Sequence, residues 1–140
     1  MRFFYLFLSF LHDAGHLDDA QVQSDHIAAA LRASVALVDR LSAEEGHGEN
    51  SGDILVTNGE QLIAVNRSGS VGYRSWKGRF QVEELLGEEG VRKARIPSIE
   101  SSHFSLIASE MEALPPGFHA AQPRTIVTLG RTDEPRIEPL

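Results

Sequence analysis

The stretch Asp53-Ile54-Leu55-Val56-Thr57-Asn58-Gly59-Glu60-Gln61-Leu62-Ile63-Ala64-Val65-Asn66 decides how this 140-residue sequence folds. Two runs of aliphatic and β-branched residues flank an Asn-Gly pair, which tolerates the positive φ angles of a type I′ turn. The pattern predicts a β-hairpin with strands at 53–57 and 60–66. A second turn at 67–69 then leads into a third strand near 71–76, which gives a meander.

Two helical segments precede the hairpin. The first, at about residues 3 to 15, is apolar almost all round and requires packing partners on more than one side. No Ser, Thr, Asp or Asn precedes Phe3, so the first-turn amides lack a side-chain acceptor. The helix therefore lacks a start signal, which suggests that the sequence is truncated at this point. Ser24 or Asp25 is expected to cap the second helix, where Ser34 lies on a buried stripe and bonds back to a carbonyl one turn earlier. That stripe is formed by Ile27, Ala30, Leu31, Val35, Val38 and Leu41.

The second half of the sequence alternates charged segments with further strands. Residues 77–102 read as a solvated excursion around a short helix at 82–86. Strands are predicted at 103–109 and 125–129, joined by a Pro-Pro-Gly connector, and the tail from Gly130 is expected to fray. Two helices followed by an antiparallel meander predict an α+β fold, with the helices on one face of a sheet whose other face still needs cover.

Composition excludes several classes of function. The formal charge is −7 and the pI about 5.3, which works against binding to nucleic acid and to anionic membrane surfaces. The sequence has no cysteine, so it offers no disulfide, thiolate zinc site or thiol nucleophile, and a cytoplasmic location is expected. The apolar run at residues 3–11 imitates a signal peptide, but a buried core helix is the better interpretation, because the run is well short of the ~20 residues that span a bilayer.

No complete catalytic centre is recognisable from motifs. The six histidines are scattered apart from His12 and His16, without a His-Glu-x-x-His pattern, so no metal site is predicted. Ser68-Gly69-Ser70 reads as a turn and not as a nucleophile, since no Gly-x-Ser-x-Gly motif is present. The paired carboxylates lie in polar loops where their pKa values have no evident reason to shift. Met1-Arg2 provides no N-terminal nucleophile, and neither catalytic residues nor a cofactor are predicted.

The order of these segments resembles the later half of a class II glutamine amidotransferase domain, in particular the short stand-alone type that includes the ergothioneine-pathway hydrolases. The resemblance rests on the Phe-Phe-Tyr-Leu-Phe-Leu helix, the Ala/Leu-rich second helix and three strand segments. These segments are Leu-Val-Thr-Asn-Gly-Glu-Gln-Leu-Ile-Ala (55–64), Leu-Ile-Ala-Ser-Glu (106–110) and Pro-Arg-Thr-Ile-Val (123–127). The resemblance covers residues 3–129 and is weakest at 77–102. We therefore divide the sequence into a domain portion at 1–129 and a tail at 130–140.

The resemblance implies a partial four-layer αββα sandwich of the N-terminal-nucleophile type. In that family an N-terminal cysteine hydrolyses the amide of glutamine, and the groups that bind glutamine precede the helix that begins here. The family enters this helix through Thr-Asp-Ser-Glu, and Met1-Arg2 occupies the end of that motif. The resemblance also places Ser109 and Glu110 at the periphery of the substrate pocket, with a strand end and polar turn as the alternative. Met111-Glu112-Ala113-Leu114 departs from the Pro-Leu that commonly follows Ser-Glu.

Three functional hypotheses follow. The first is the C-terminal portion of a class II glutamine amidotransferase, with the catalytic N-terminal part absent and glutamine or a γ-glutamyl compound as substrate of the complete domain only. The second is a non-catalytic binding or scaffold module that self-associates or pairs with a separate N-terminal half, as an uncovered apolar helix would favour. The third is an unrelated small hydrolase that uses histidine and carboxylates.

Overall fold

The computed structural model describes residues 2–48, 50–95, 98–131 and 134–140. Within these ranges, helices lie at Arg2–Asp13 (α1), Ser24–Glu44 (α2) and Gly78–Ala94 (α3), with a 3-10 turn at Ile99–Ser101. Strands lie at Ile54–Thr57 (β1), Gln61–Asn66 (β2), Gly72–Lys77 (β3), His103–Ala108 (β4), His119–Ala120 (β5), Thr125–Gly130 (β6) and Arg136–Pro139 (β7).

The strands form two antiparallel sheets. The first has the order β1-β2-β6-β7 and the second the order β4-β3-β5. In the first sheet Ile54 lies opposite Val65, and in the second Trp76 lies opposite Phe104. Because alternate residues of a strand point to opposite faces, each sheet presents one face to the other sheet and one to a helical layer.

Three clusters of apolar side chains hold these layers together. The first joins α1 and α2 to one face of the first sheet, through Phe7, Leu11, Ile27, Leu31, Val35, Ile63, Val65 and Ile126. The second fills the space between the sheets with Ala64, Val71, Ala121, Val127 and Leu129, flanked by Leu62, Tyr73 and Ile107. The third packs Val82 of α3 and Ile99 against Trp76 of the second sheet. The order of layers is therefore α, β, β, α, which confirms the predicted fold class.

The strand order refines the predicted meander. β1 and β2 form the expected hairpin, but β3 leaves the first sheet and pairs with β4 and β5. The hairpin loop also differs from a two-residue type I′ turn, since Thr57 lies opposite Leu62. The side-chain oxygen of Asn58 accepts hydrogen bonds from the backbone N–H groups of Glu60 (3.1 Å) and Gln61 (2.9 Å), which widens the loop.

Two expectations about charged and terminal segments need correction. The helix predicted at 82–86 is present, but it is part of α3, which continues to Ala94 beyond non-helical backbone at Gly87 and covers the second sheet instead of being fully solvated. The tail does not fray at 136–139, because β7 pairs with β6. Arg32 of α2 also donates a 2.9 Å hydrogen bond to the carbonyl of Pro139.

The N-terminus of α2 is not capped as predicted. Gln23 is the N-cap residue and makes no side-chain capping bond. Arg136 of β7 instead contacts both predicted caps, with its guanidinium 3.3 Å from the Ser24 hydroxyl and paired with Asp25. Ser34 behaves as expected, since its buried hydroxyl donates to the Ala30 carbonyl at 2.8 Å.

Candidate functional site

The predicted pocket residue Ser109 belongs to a cluster of three serines around one carboxylate. We call this group, Asp53, Ser68, Ser70 and Ser109, the Asp53 cluster. One carboxylate oxygen of Asp53 accepts hydroxyl hydrogen bonds from Ser109 (2.6 Å), Ser68 (2.8 Å) and Ser70 (2.9 Å). The other accepts the backbone N–H groups of Arg67 (2.8 Å) and Ser68 (3.0 Å). Both oxygens of the carboxylate are fully used as acceptors.

The cluster forms where the ends of the two sheets meet. Asp53 immediately precedes β1, and the segment from Ser68 to Ser70 carries the chain from β2 in the first sheet to β3 in the second. Ser109 follows β4, the neighbour of β3. A carboxylate at this junction ties four strand ends together through hydrogen bonds that cross between the sheets.

Asp53 is held in its ionised form. Partial burial alone would raise the pKa of Asp53, but the hydrogen bonds from Ser109, Ser68 and the Arg67 backbone outweigh it and lower the pKa from 3.8 to about 2. Such a carboxylate is a weak base at neutral pH. The geometry of Asp53 therefore suits a role in stabilising the fold better than a role in proton transfer.

A salt bridge extends this junction to the helical layer. The Arg67 side chain is only 4% exposed and its guanidinium pairs with Asp39 of α2. Removal of either partner would leave a charge in a largely buried position. The loop that holds the cluster is thus fixed from both sides, by Asp53 at the start of β1 and by Asp39 in α2.

Glu110, the second predicted pocket residue, contacts the cluster through its backbone. Its N–H donates to the Ser70 hydroxyl at 3.1 Å, while the residue itself is exposed. Its φ angle of 59° is uncommon for a residue with a side chain, and the constraint reverses the chain directly after β4. The structure therefore brings Ser109 and Glu110 together at one edge of the sandwich, and their role at a substrate pocket stays a prediction.

Sequence motifs do not single out Asp53. The sequence predicts it only as the first residue of a strand, and Ser68-Gly69-Ser70 only as a turn. The available signal was the hairpin itself, because antiparallel pairing brings the start of β1 beside the end of β2. An aspartate there, opposite a serine-rich turn, could have been predicted to accept the turn's N–H groups.

A second group of polar side chains lies on the inward face of the second sheet, at its other end. The hydroxyls of Ser75 and Ser105 are 2.8 Å apart, and Ser105 is 3.4 Å from Nε2 of His103. The buried Nδ1 of His103 has no hydrogen-bond partner within the described residues. Among the residues that the structure describes, no third group therefore orients the imidazole, which is unlike an activated serine–histidine arrangement. Beside these residues, Lys77 pairs with Glu134.

Metal binding and membrane insertion find no support in the described ranges. No group of three or more histidine, aspartate or glutamate side chains there is arranged to hold a metal ion. His16 and His26 do meet, but as stacked rings 3.7 Å apart between centroids. Likewise, none of the helices in these ranges combines the length and the apolar character needed to cross a membrane.

Comparison with known proteins shows a likeness in fold. No protein-family model and no curated protein sequence matches the chain. The structure is similar to that of a glutamine aminotransferase class-II domain protein from Silicibacter pomeroyi, with a TM-score of 0.52 and 16% sequence identity. The match covers 98% of this chain and 49% of that chain, so the chain spans about half the length of the protein it resembles. The two proteins share an arrangement of helices and sheets across almost all of this sequence.

Proposed function

We propose that this chain is the C-terminal portion of a class II glutamine amidotransferase domain, and that hydrolysis of the glutamine amide belongs to the complete domain. The observation that carries the proposal is the αββα layering, which matches about half of a class II domain protein across 98% of this chain. The order of the quoted sequence segments supports the same assignment.

The chemistry of the described residues is consistent with a supporting role. The sequence contains no cysteine. The Asp53 carboxylate is saturated with hydrogen bonds, and the imidazole of His103 lacks an orienting partner in the described part of the chain. The proposal therefore places the nucleophile and the glutamine-binding groups outside this sequence, with Ser109 and Glu110 at the rim of the pocket.

Ammonia release from glutamine tests the proposal. We expect the purified 140-residue chain to release no ammonia above the buffer rate once circular dichroism has shown that it is folded, because no activated nucleophile lies among its described residues. Measurable release would overturn the proposal. The nucleotides upstream of codon one give the complementary test: an in-frame segment that begins with Met-Cys and ends in Thr-Asp-Ser supports it, and the lengthened chain should release ammonia unless that cysteine is replaced by serine.

A non-catalytic binding or scaffold module is the second candidate. The specific observation in its favour is the outer face of α1, where Phe4 is 55% and Tyr5 64% exposed while Phe7 and Leu11 are buried. Adjacent exposed aromatic side chains are typical of surfaces that associate. Light scattering of the purified chain near its pI of about 5.3, where repulsion between copies is smallest, tests this candidate, and a monodisperse monomer there would count against it.

A further inference from the structure

A cavity of about 420 Å³ opens beside the second sheet, close to the Ser75 and Lys77 end of β3. Its walls are the side chains of Tyr73, Ser75, Lys77, Gln81, His119 and Glu134, together with Pro135. Tyr73 and His119 contribute a ring pair with centroids 5.6 Å apart. The lining of the cavity thus combines two rings with several polar side chains.

Every described polar side chain that lines this cavity, except that of Glu134, can donate a hydrogen bond. Lys77 carries a positive charge, while Tyr73, Ser75 and His119 can each donate a proton. The Ser75 hydroxyl is further linked through Ser105 to the imidazole of His103. When Nε2 of His103 donates to Ser105 and Ser105 donates to Ser75, the hydroxyl proton of Ser75 is available to a ligand in the cavity.

The only carboxylate among the cavity's described lining residues is that of Glu134. It pairs with Lys77, although its side chain is 82% exposed and Lys77 is 42% exposed. An exposed ion pair of this kind is weak and exchanges readily with solvent and solutes. The contact with Glu134 therefore shows that Lys77 can bind a carboxylate here, without closing the site.

We propose that this cavity is a binding site for a small carboxylate, which takes the place of the Glu134 carboxylate beside Lys77 and accepts hydrogen bonds from Ser75 and His119. The site is independent of the glutamine amidotransferase assignment, because it uses only side chains of this sequence. Its ring pair and its size suit a carboxylate with a short organic portion.

The electrostatics of Glu134 support this proposal. The hydrogen bond and the positive charge of Lys77 lower the pKa of Glu134, and the charge of His103 acts in the same direction. The local environment thus favours the ionised form of a carboxyl group, although the whole sequence carries a net charge of −7. Binding should consequently weaken as salt concentration rises.

Titration with sodium acetate, followed by NMR at constant ionic strength, tests the proposal. We expect saturable shifts of the ring signals of Tyr73 and His119. The variant Glu134→Gln removes the competing carboxylate and should bind acetate about two- to fivefold more tightly, as expected for release of an exposed ion pair. The variant Lys77→Met should lose saturable binding, while circular dichroism reports that it is folded.

A matched ion pair on α3 provides the control. Lys93 and Glu89 are 2.8 Å apart and lie outside the cavity. Lys93→Met and Glu89→Gln should leave acetate binding unchanged. The proposal is overturned if the Tyr73 and His119 signals do not saturate, if Lys93→Met acts like Lys77→Met, or if Glu134→Gln fails to tighten binding. Inorganic phosphate that binds as tightly as acetate would overturn the assignment to carboxylates.

Discussion

Asp53 links the ends of both sheets through one carboxylate, and its charge is essential to that role. We expect Asp53→Asn to lower the free energy of unfolding by about 1–2 kcal/mol, since an amide accepts fewer hydrogen bonds and attracts the three hydroxyls less strongly. Urea unfolding followed by circular dichroism measures this change. Asp18→Asn, in an exposed loop, is the control and should have little effect. Equal effects of the two substitutions would contradict the role given to Asp53.

The same residue predicts how stability changes with pH. The pKa of Asp53 is lowered from 3.8 to about 2 on folding, so the unfolded chain binds the proton more tightly. Its contribution is fully present above pH 3.8 and is lost as the pH falls toward 2; it amounts to about 1–2 kcal/mol after allowance for solvent screening. The difference in stability between wild type and Asp53→Asn should shrink across this range. A difference that stays constant would contradict the lowered pKa.

The element α3 depends on a break at Gly87. This residue has φ 70° and ψ 159° inside the helix, a conformation open to glycine and costly for other residues. Leu85 and Val91, on either side of it, both pack against the core of Trp76 and Val82. We expect Gly87→Ala to destabilise the protein by about 1–3 kcal/mol in urea unfolding, whereas the exposed neighbour Glu88→Ala should change little. A gain in helical signal without loss of stability would show that the break is dispensable.

The elements that the sequence predicts well are those with a clear period. The apolar stripe of α2 and the hairpin of β1 and β2 have local signals, and so do β4 and β6. The second half of α3 has none, because Gly87 interrupts the helix and charged residues fill it. β5 has two residues, and β7 follows Pro135 and ends in Pro139, so both strands are recognisable only through their pairing with β3 and β6. Strands this short are determined by tertiary contacts and not by their own composition.

At the scale of the whole molecule, the sequence pattern does not predict that the strands separate into two sheets. Periodicity predicts that β3 is a strand, but its choice of partners depends on the loop held by Asp53 and Arg67. The contact between Asp53 and Ser109 spans 56 positions. The resemblance to a known family supplied the αββα layering and the position of Ser109 at a strand end. The carboxylate that binds Ser109, and the cavity beside Lys77, required the packed structure.

Association between molecules is the last property that follows from the whole surface. The net charge of −7 keeps copies of the chain apart at neutral pH, and this repulsion disappears near the pI of about 5.3. We then expect copies to associate through Phe4 and Tyr5, because these side chains lie exposed beside each other on α1 with ring centroids 6.2 Å apart. We expect sedimentation velocity to show larger species near the pI than at neutral pH.

The double variant Phe4→Ser with Tyr5→Ser should suppress this association, since it removes apolar surface without changing the charge. Phe80→Ser is the matched control, because Phe80 is 84% exposed but lies on α3, in the opposite helical layer. If association near the pI survives the double variant, or if Phe80→Ser suppresses it equally, then α1 is not the surface through which copies of the chain meet.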